Sequence, residues 1–191
     1  MKFSRTPLSG LLVIEPQIFS DERGWFTESF NEQRFLEGVA SAGFETPPRF
    51  VQDNHSVSRK GVLRGLHYQL PPHAQGKLVR VVQGSAFDVA VDIRRSSPTF
   101  GKWFGLELSA KNHLEFWIPP GFAHGFVALE DETHFLYKTT DYWSKECEAA
   151  IHWSDPSIDI NWPDLPVRFQ VNAKDSQAPS IASAPASSFF E

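Results

Sequence analysis

Residues 86–93 read Ala-Phe-Asp-Val-Ala-Val-Asp-Ile, and no other stretch constrains the fold as tightly. In an extended chain successive side chains point to opposite sides, so Phe87, Val89, Val91 and Ile93 share one face. Ala86, Asp88, Ala90 and Asp92 share the other. A face of small residues and carboxylates suits the wall of a polar cavity or a solvent-facing sheet surface, and the sequence leaves both open. Short runs at 11–14, 25–30, 50–55, 62–69, 77–82, 103–108, 115–118, 125–129, 133–139 and 150–153 also read as strands. Polar and glycine-containing turns such as Arg59-Lys60-Gly61 and Gln83-Gly84-Ser85 separate them. Many short strands at this spacing predict an all-β sandwich or barrel with a few short helices. The best helix lies over 31–40, where Asn31 can cap and Phe35, Leu36 and Val39 share a face.

The chain is long enough, at 191 residues, to bury one core without staples. Its 17 Phe and 6 Trp favour strands over a helical bundle. Cys147 is the single cysteine, which excludes an internal disulfide and fits a reducing compartment. No apolar run approaches the roughly 20 residues that cross a bilayer, and the segment after Met1 is too short for a signal peptide. A cytoplasmic location is expected. The net charge of −5 argues against nucleic-acid binding, although it allows a local cationic pocket. Residues 176–191, rich in Ser, Ala and Pro, read as a weakly ordered tail on a single domain spanning 1–175.

The segment Pro119-Pro120-Gly121-Phe122-Ala123-His124 resembles the second motif of the cupins, whose histidine normally binds a metal. The first motif would need His-x-His and a nearby glutamate. Here His67-Tyr68-Gln69 stands instead, and Lys77 follows where an acidic ligand would be expected. Divalent metals take neutral imidazoles and carboxylates, and an ammonium repels them. The residues therefore predict a cupin-like barrel whose metal site has been dismantled.

The replacements carry a chemistry of their own. His67 can remove a proton near neutral pH, and Lys77 can hold a developing enolate oxygen in a shielded site. Tyr137, one of only three tyrosines, can return a proton to the opposite face. Together these suit inversion of a carbon beside a ketone.

Six segments then carry a resemblance: Asp21-Glu22-Arg23-Gly24, Val51-Gln52-Asp53-Asn54-His55-Ser56, Val62-Leu63-Arg64-Gly65-Leu66-His67-Tyr68-Gln69, Gln75-Gly76-Lys77-Leu78-Val79-Arg80, Phe87-Asp88-Val89-Ala90-Val91-Asp92-Ile93-Arg94 and Trp117-Ile118-Pro119-Pro120-Gly121-Phe122-Ala123-His124-Gly125-Phe126. In this order, over about residues 11 to 175, the chain resembles the dTDP-4-dehydrorhamnose 3,5-epimerase family. The resemblance implies a jelly-roll homodimer, free of metal and cofactor, that turns dTDP-4-keto-6-deoxy-D-glucose into dTDP-4-keto-L-rhamnose. It assigns His67 as base, Tyr137 as acid and Lys77 to the ketone, with Asp175 paired to the base. It also implies that Arg23, Glu28, Gln52, Asn54, Arg64, His124, Glu148 and Lys174 lie near the nucleotide or sugar, that Tyr142 stacks on thymine, and that the partner subunit's Trp25 joins them. An epimerase of C3 or C5 alone, a non-catalytic sugar-nucleotide binder and a metal-dependent cupin oxygenase are the alternatives. His124 can equally keep only a hydrogen-bonding role, with Asp88 orienting it, and His55 can simply pair within its sheet.

Overall fold

In the computed structural model, which describes residues 1–191, thirteen strands and two short α-helices follow one another. They are β1 Lys2–Arg5, β2 Leu12–Glu15, β3 Ile18–Asp21, β4 Gly24–Thr27, α1 Glu32–Ser41, β5 Gln52–Ser58, β6 Leu63–Gln69, β7 Lys77–Gln83 and β8 Ser85–Asp92. Then come β9 Trp103–Ser109, β10 Glu115–Ile118, β11 Phe122–Ala128, β12 Thr133–Thr139, β13 Glu148–Ala150 and α2 Ala173–Ser176. One sheet runs β1-β2-β10-β7-β12-β5 and the other β13-β6-β11-β8-β9, while β3 and β4 form a separate hairpin. The expected all-β, cupin-like jelly roll is the observed architecture.

Alternation along the strands builds the layers. Val79 and Val81 of β7, Phe116 and Ile118 of β10, and Phe135 of β12 meet Phe122 and Phe126 of β11 and Ala86 and Ala90 of β8 between the sheets. The rings of Phe126 and Phe135 stack across this gap at 4.0 Å, joining the layers near the cavity described below. Asp88, between Ala86 and Ala90 on the small-residue face of β8, is fully buried. That face is an interior wall rather than a solvated surface.

The outer faces are covered differently. Helix α1 begins where Asn31 accepts a hydrogen bond from the Arg34 amide, and its Phe35 and Val39 pack on Leu12, Ile14, Leu78 and Trp117. Burying such an apolar stripe, more than intrinsic propensity, is what stabilises a helix of this length.

Residues 18–21 form strand β3 and pair with β4. Two local expectations are corrected. The strand expected over 25–30 ends at Thr27. The segment 176–191 is no loose tail. Phe189 is only 7% exposed among Val91, Ile93 and Ile158 on the outer face of the five-stranded sheet. The Phe190 amide donates to the Ile93 carbonyl and the Arg95 amide to the Phe190 carbonyl, while the Tyr68 hydroxyl donates to the Ser188 carbonyl at 2.7 Å. Two phenylalanines at the end of a polar stretch suffice to dock it, because one buried aromatic ring contributes about 2–3 kcal/mol. Phe189→Ala is expected to cost about 3 kcal/mol in denaturant unfolding, and an unchanged midpoint would refute this docking.

Candidate active site

A cavity of about 350 Å³ opens between the β5–β12–β7 side of one sheet and the β13–β6–β11 side of the other. Period-two alternation supplies its lining: His67 and Gln69 from β6, Asn54 and Ser56 from β5, Phe135 and Tyr137 from β12. Lys77, at the start of β7, His124 of β11, Arg64 of β6 and Glu148 of β13 complete the polar part. His67 and Tyr137 thus reach the cavity from opposite sheets.

Strands β6 and β11 come unusually close here, with His67 directly opposite His124 and a register shift beyond it. Gly65 makes this approach possible. A Cβ on it would lie 2.5 Å from the Gly125 Cα and 2.9 Å from the His124 carbonyl oxygen, and its φ of +131° disfavours any side chain.

Asp175 does not line the cavity; it stands behind His67, fully buried on α2. Its Oδ1 lies 2.6 Å from His67 Nε2, and its Oδ2 accepts the Gly65 amide at 3.1 Å. Asn172 caps α2 by accepting the Asp175 amide at 2.7 Å, which fixes the carboxylate's origin. Burial by itself would raise the Asp175 pKa, but the His67 hydrogen bond and charge, with the Gly65 and Asn172 contacts, hold it below the usual carboxylate range. An ionised carboxylate only accepts, so His67 Nε2 carries a proton and Nδ1 is the ring's free nitrogen.

Lys77 is 9% exposed and donates to the His67 carbonyl at 3.1 Å. Burial pushes its ammonium down to about 8, with Asp88 and Glu148 opposing that fall. Tyr137 is raised above the usual phenol value, chiefly by burial, with Arg64 acting against and Glu148 with the change. His124 donates Nε2–H to Asp88 Oδ2 at 2.8 Å, and burial lowers its pKa despite that carboxylate. No three His, Cys, Asp or Glu side chains cluster so as to hold a metal ion, and the cation of Lys77 stands on the wall of the same cavity.

Of the remaining residues singled out from the sequence, Gln52 braces the wall. Its amide donates to Asn54 Oδ1 at 3.0 Å and its carbonyl accepts the Trp143 amide at 3.1 Å. Lys174 sits at the rim, 2.6 Å from Glu148. Four others lie outside this chain's own cavity. Arg23 pairs with Asp21 on the exposed β3–β4 hairpin, Trp25 packs its ring 4.6 Å from that of His113, and Glu28 pairs with Arg34. Tyr142 is 63% exposed and Trp143 58%, and of the two it is Trp143 that lines the cavity. Gln69 holds the loop that carries both, donating to the Tyr142 carbonyl and accepting the Ser144 amide. Sequence pattern gives no signal for that choice. His55 lines the cavity and also meets His134, with Nε2 3.0 Å from the His134 Nδ1.

Comparison with known proteins agrees with this geometry. A family model for dTDP-4-dehydrorhamnose 3,5-epimerase matches residues 5–183. The dTDP-4-dehydrorhamnose 3,5-epimerase of Shigella flexneri is 59% identical over 163 residues, covering 85% of this chain and 87% of the relative. That of Pseudomonas aeruginosa is 51% identical over 186 residues, covering 96% and 98%. A crystal structure of the Legionella pneumophila dTDP-6-deoxy-D-glucose-3,5-epimerase in complex with dTDP-4-keto-L-rhamnose superposes with a TM-score of 0.92 at 48% identity, covering 100% of this chain and 97% of that one. Matched along nearly its whole length, with a polar cavity walled by imidazole, ammonium and phenol, the chain belongs to the dTDP-4-dehydrorhamnose 3,5-epimerase family.

Proposed function

We propose that this chain inverts C3 and C5 of dTDP-4-keto-6-deoxy-D-glucose, giving dTDP-4-keto-L-rhamnose. The observation that carries the reading is the pair of opposed walls, with a carboxylate-bound imidazole on one and a neutral phenol on the other. His67 Nδ1 removes the proton from a carbon next to the C4 ketone. The electron pair moves into the enolate, whose oxygen the Lys77 ammonium stabilises, and Asp175 stabilises the imidazolium. Tyr137 then gives its hydroxyl proton to the opposite face of that carbon. C3 and C5 both flank C4, so one base, one acid and one cation serve both centres in turn, the imidazolium giving its proton to water and the phenolate regaining one from water between the two inversions. All the groups needed are side chains of the protein, and no cofactor enters the scheme.

Arg64, Asn54 and the Glu148–Lys174 pair hold the sugar and diphosphate, with Arg64 suited to phosphate by its planar fork. Trp143, in place of Tyr142, offers a ring to the base. The enzyme works as a cytoplasmic homodimer in which the partner's Arg23, the partner's Trp25 and the partner's Glu28 complete the nucleotide site.

Two expectations test the reading. In deuterated water, proton NMR of the substrate with enzyme should show deuterium at both C3 and C5 with both centres inverted. Label at one carbon only would identify a single-site epimerase, and no label would remove the enolate scheme. The second concerns the cost of Lys77. Its pKa is lower in the folded protein than in the unfolded chain, so its charge opposes folding fully below about pH 8, and this penalty fades as pH rises towards 10.5. Lys77→Met should lose at least about a hundredfold in kcat, yet gain on the order of 2–3 kcal/mol of stability at pH 7. Denaturant unfolding from pH 7 to 10.5 reads that gain and its disappearance.

A further inference from the structure

Asp88 has no step in the scheme above, although it lies in the barrel wall with no solvent exposure. Its Oδ2 accepts the His124 ring N–H at 2.8 Å, and its Oδ1 is buried without a hydrogen-bond partner. An ionised carboxylate left half satisfied in the interior costs several kcal/mol on the usual scale, so packing does not account for it.

The charged and titratable groups converging on this region come from every surrounding strand. They are His55 from β5, His67, Tyr68 and Arg64 from β6, Lys77 from β7, His124 from β11, Tyr137 from β12 and Glu148 from β13. Geometry joins Asp88 to the lysine: Lys77 donates to the His67 carbonyl, His67 lies directly opposite His124, and His124 is bonded to Asp88. Asp88 and Glu148 are the anions that favour the Lys77 cation. The two differ in how much of their charge is left to act. Glu148 is already paired with Lys174 at 2.6 Å and is partly solvated. Asp88 has no cation bonded to it and no solvent contact, so its field is less screened than that of Glu148.

We propose that Asp88 is a positioning residue for the epimerisation, fixing the His124 ring and supplying the negative charge that keeps the Lys77 ammonium ionised on the cavity wall. The inference rests on Lys77 being the group that stabilises the enolate. One carboxylate then does two things: it sets the tautomer of a wall histidine and it holds the electrophilic cation in its working state.

The test is the pH dependence of kcat/KM for dTDP-4-keto-6-deoxy-D-glucose with wild type, Asp88→Asn, Asp88→Glu and Lys77→Met. The wild-type alkaline limb is expected near pH 8, where Lys77 loses its proton. Asp88→Asn should move that limb down by about one pH unit. The rate at pH 8 then falls about fivefold more than the rate at pH 6, and KM changes little. Asp88→Glu, which restores the charge, should return the limb towards its wild-type position. Should Asp88→Asn fail to fold, Asp88→Ser leaves room for a water and carries the same expectation. If the folded neutral variants lower the rate by one factor at every pH with the limb unmoved, Asp88 is only structural and the proposal is overturned. A Lys77→Met enzyme with wild-type activity would instead overturn the enolate-stabilising role on which the proposal rests.

Discussion

The contact between His67 and Asp175 joins residues 108 positions apart, and much of the architecture exists to keep it at 2.6 Å. Asp175 can be both fully buried and ionised because the His67 ring and the Gly65 amide both donate to its carboxylate, while Asn172 fixes its backbone by accepting the Asp175 amide. None of these is local to a single element. Gly65 is there because β6 and β11 approach too closely for a side chain. Asn172 is there because α2 is a single turn that needs its cap. Beyond α2 the chain returns across the outer face of the five-stranded sheet and anchors Phe189 there. The segment that carries the carboxylate is therefore held on both sides.

That anchorage bears on what was legible in the sequence. The alternation over 86–93 is unambiguous, and it places Asp88 on the same face as the two core alanines Ala86 and Ala90. Asn31 and the Phe35–Val39 spacing give the one long helix to within a residue at each end. His67, Lys77 and Tyr137 are legible because their types and spacings make joint chemical sense, and strand register then carries them to a common cavity. Where physics depends on distant partners, sequence is silent. Low apolar content after Ser176 argues for disorder, yet the decisive quantity is the complementarity of two phenylalanines to a sheet face folded nearly a hundred residues earlier. Tyr142 and Trp143 are equally good aromatic candidates until Gln69 fixes the loop between them. Arg23 and Trp25 sit on a hairpin whose exposed rings, Phe19, Trp25 and Phe26, find little to pack against within one chain. In the proposed reading a partner subunit brings them into a binding site.

Desolvation orders the protonation states within the cavity. Burial pushes every ionisable group towards its neutral form, raising acids and lowering bases. For Tyr137 and His124 nothing outweighs that push, so the phenol keeps its proton and the imidazole stays uncharged. For Asp175 the His67 hydrogen bond and charge, with the Gly65 and Asn172 contacts, do outweigh it, and the carboxylate stays ionised. Lys77 falls between, charged at neutral pH by a margin of about one unit because the push down to about 8 is opposed by Asp88 and Glu148. One environment thus yields a neutral acid, an ionised orienting carboxylate and a cation with little charge to spare. Different environments driving neighbouring groups apart is how acid and base roles become separable at one pH. A metal in place of Lys77 would hold its charge at any pH in this range. An ammonium holds it only below its own pKa, so in the proposed scheme the carboxylates facing Lys77 set how far into the alkaline range the cation survives.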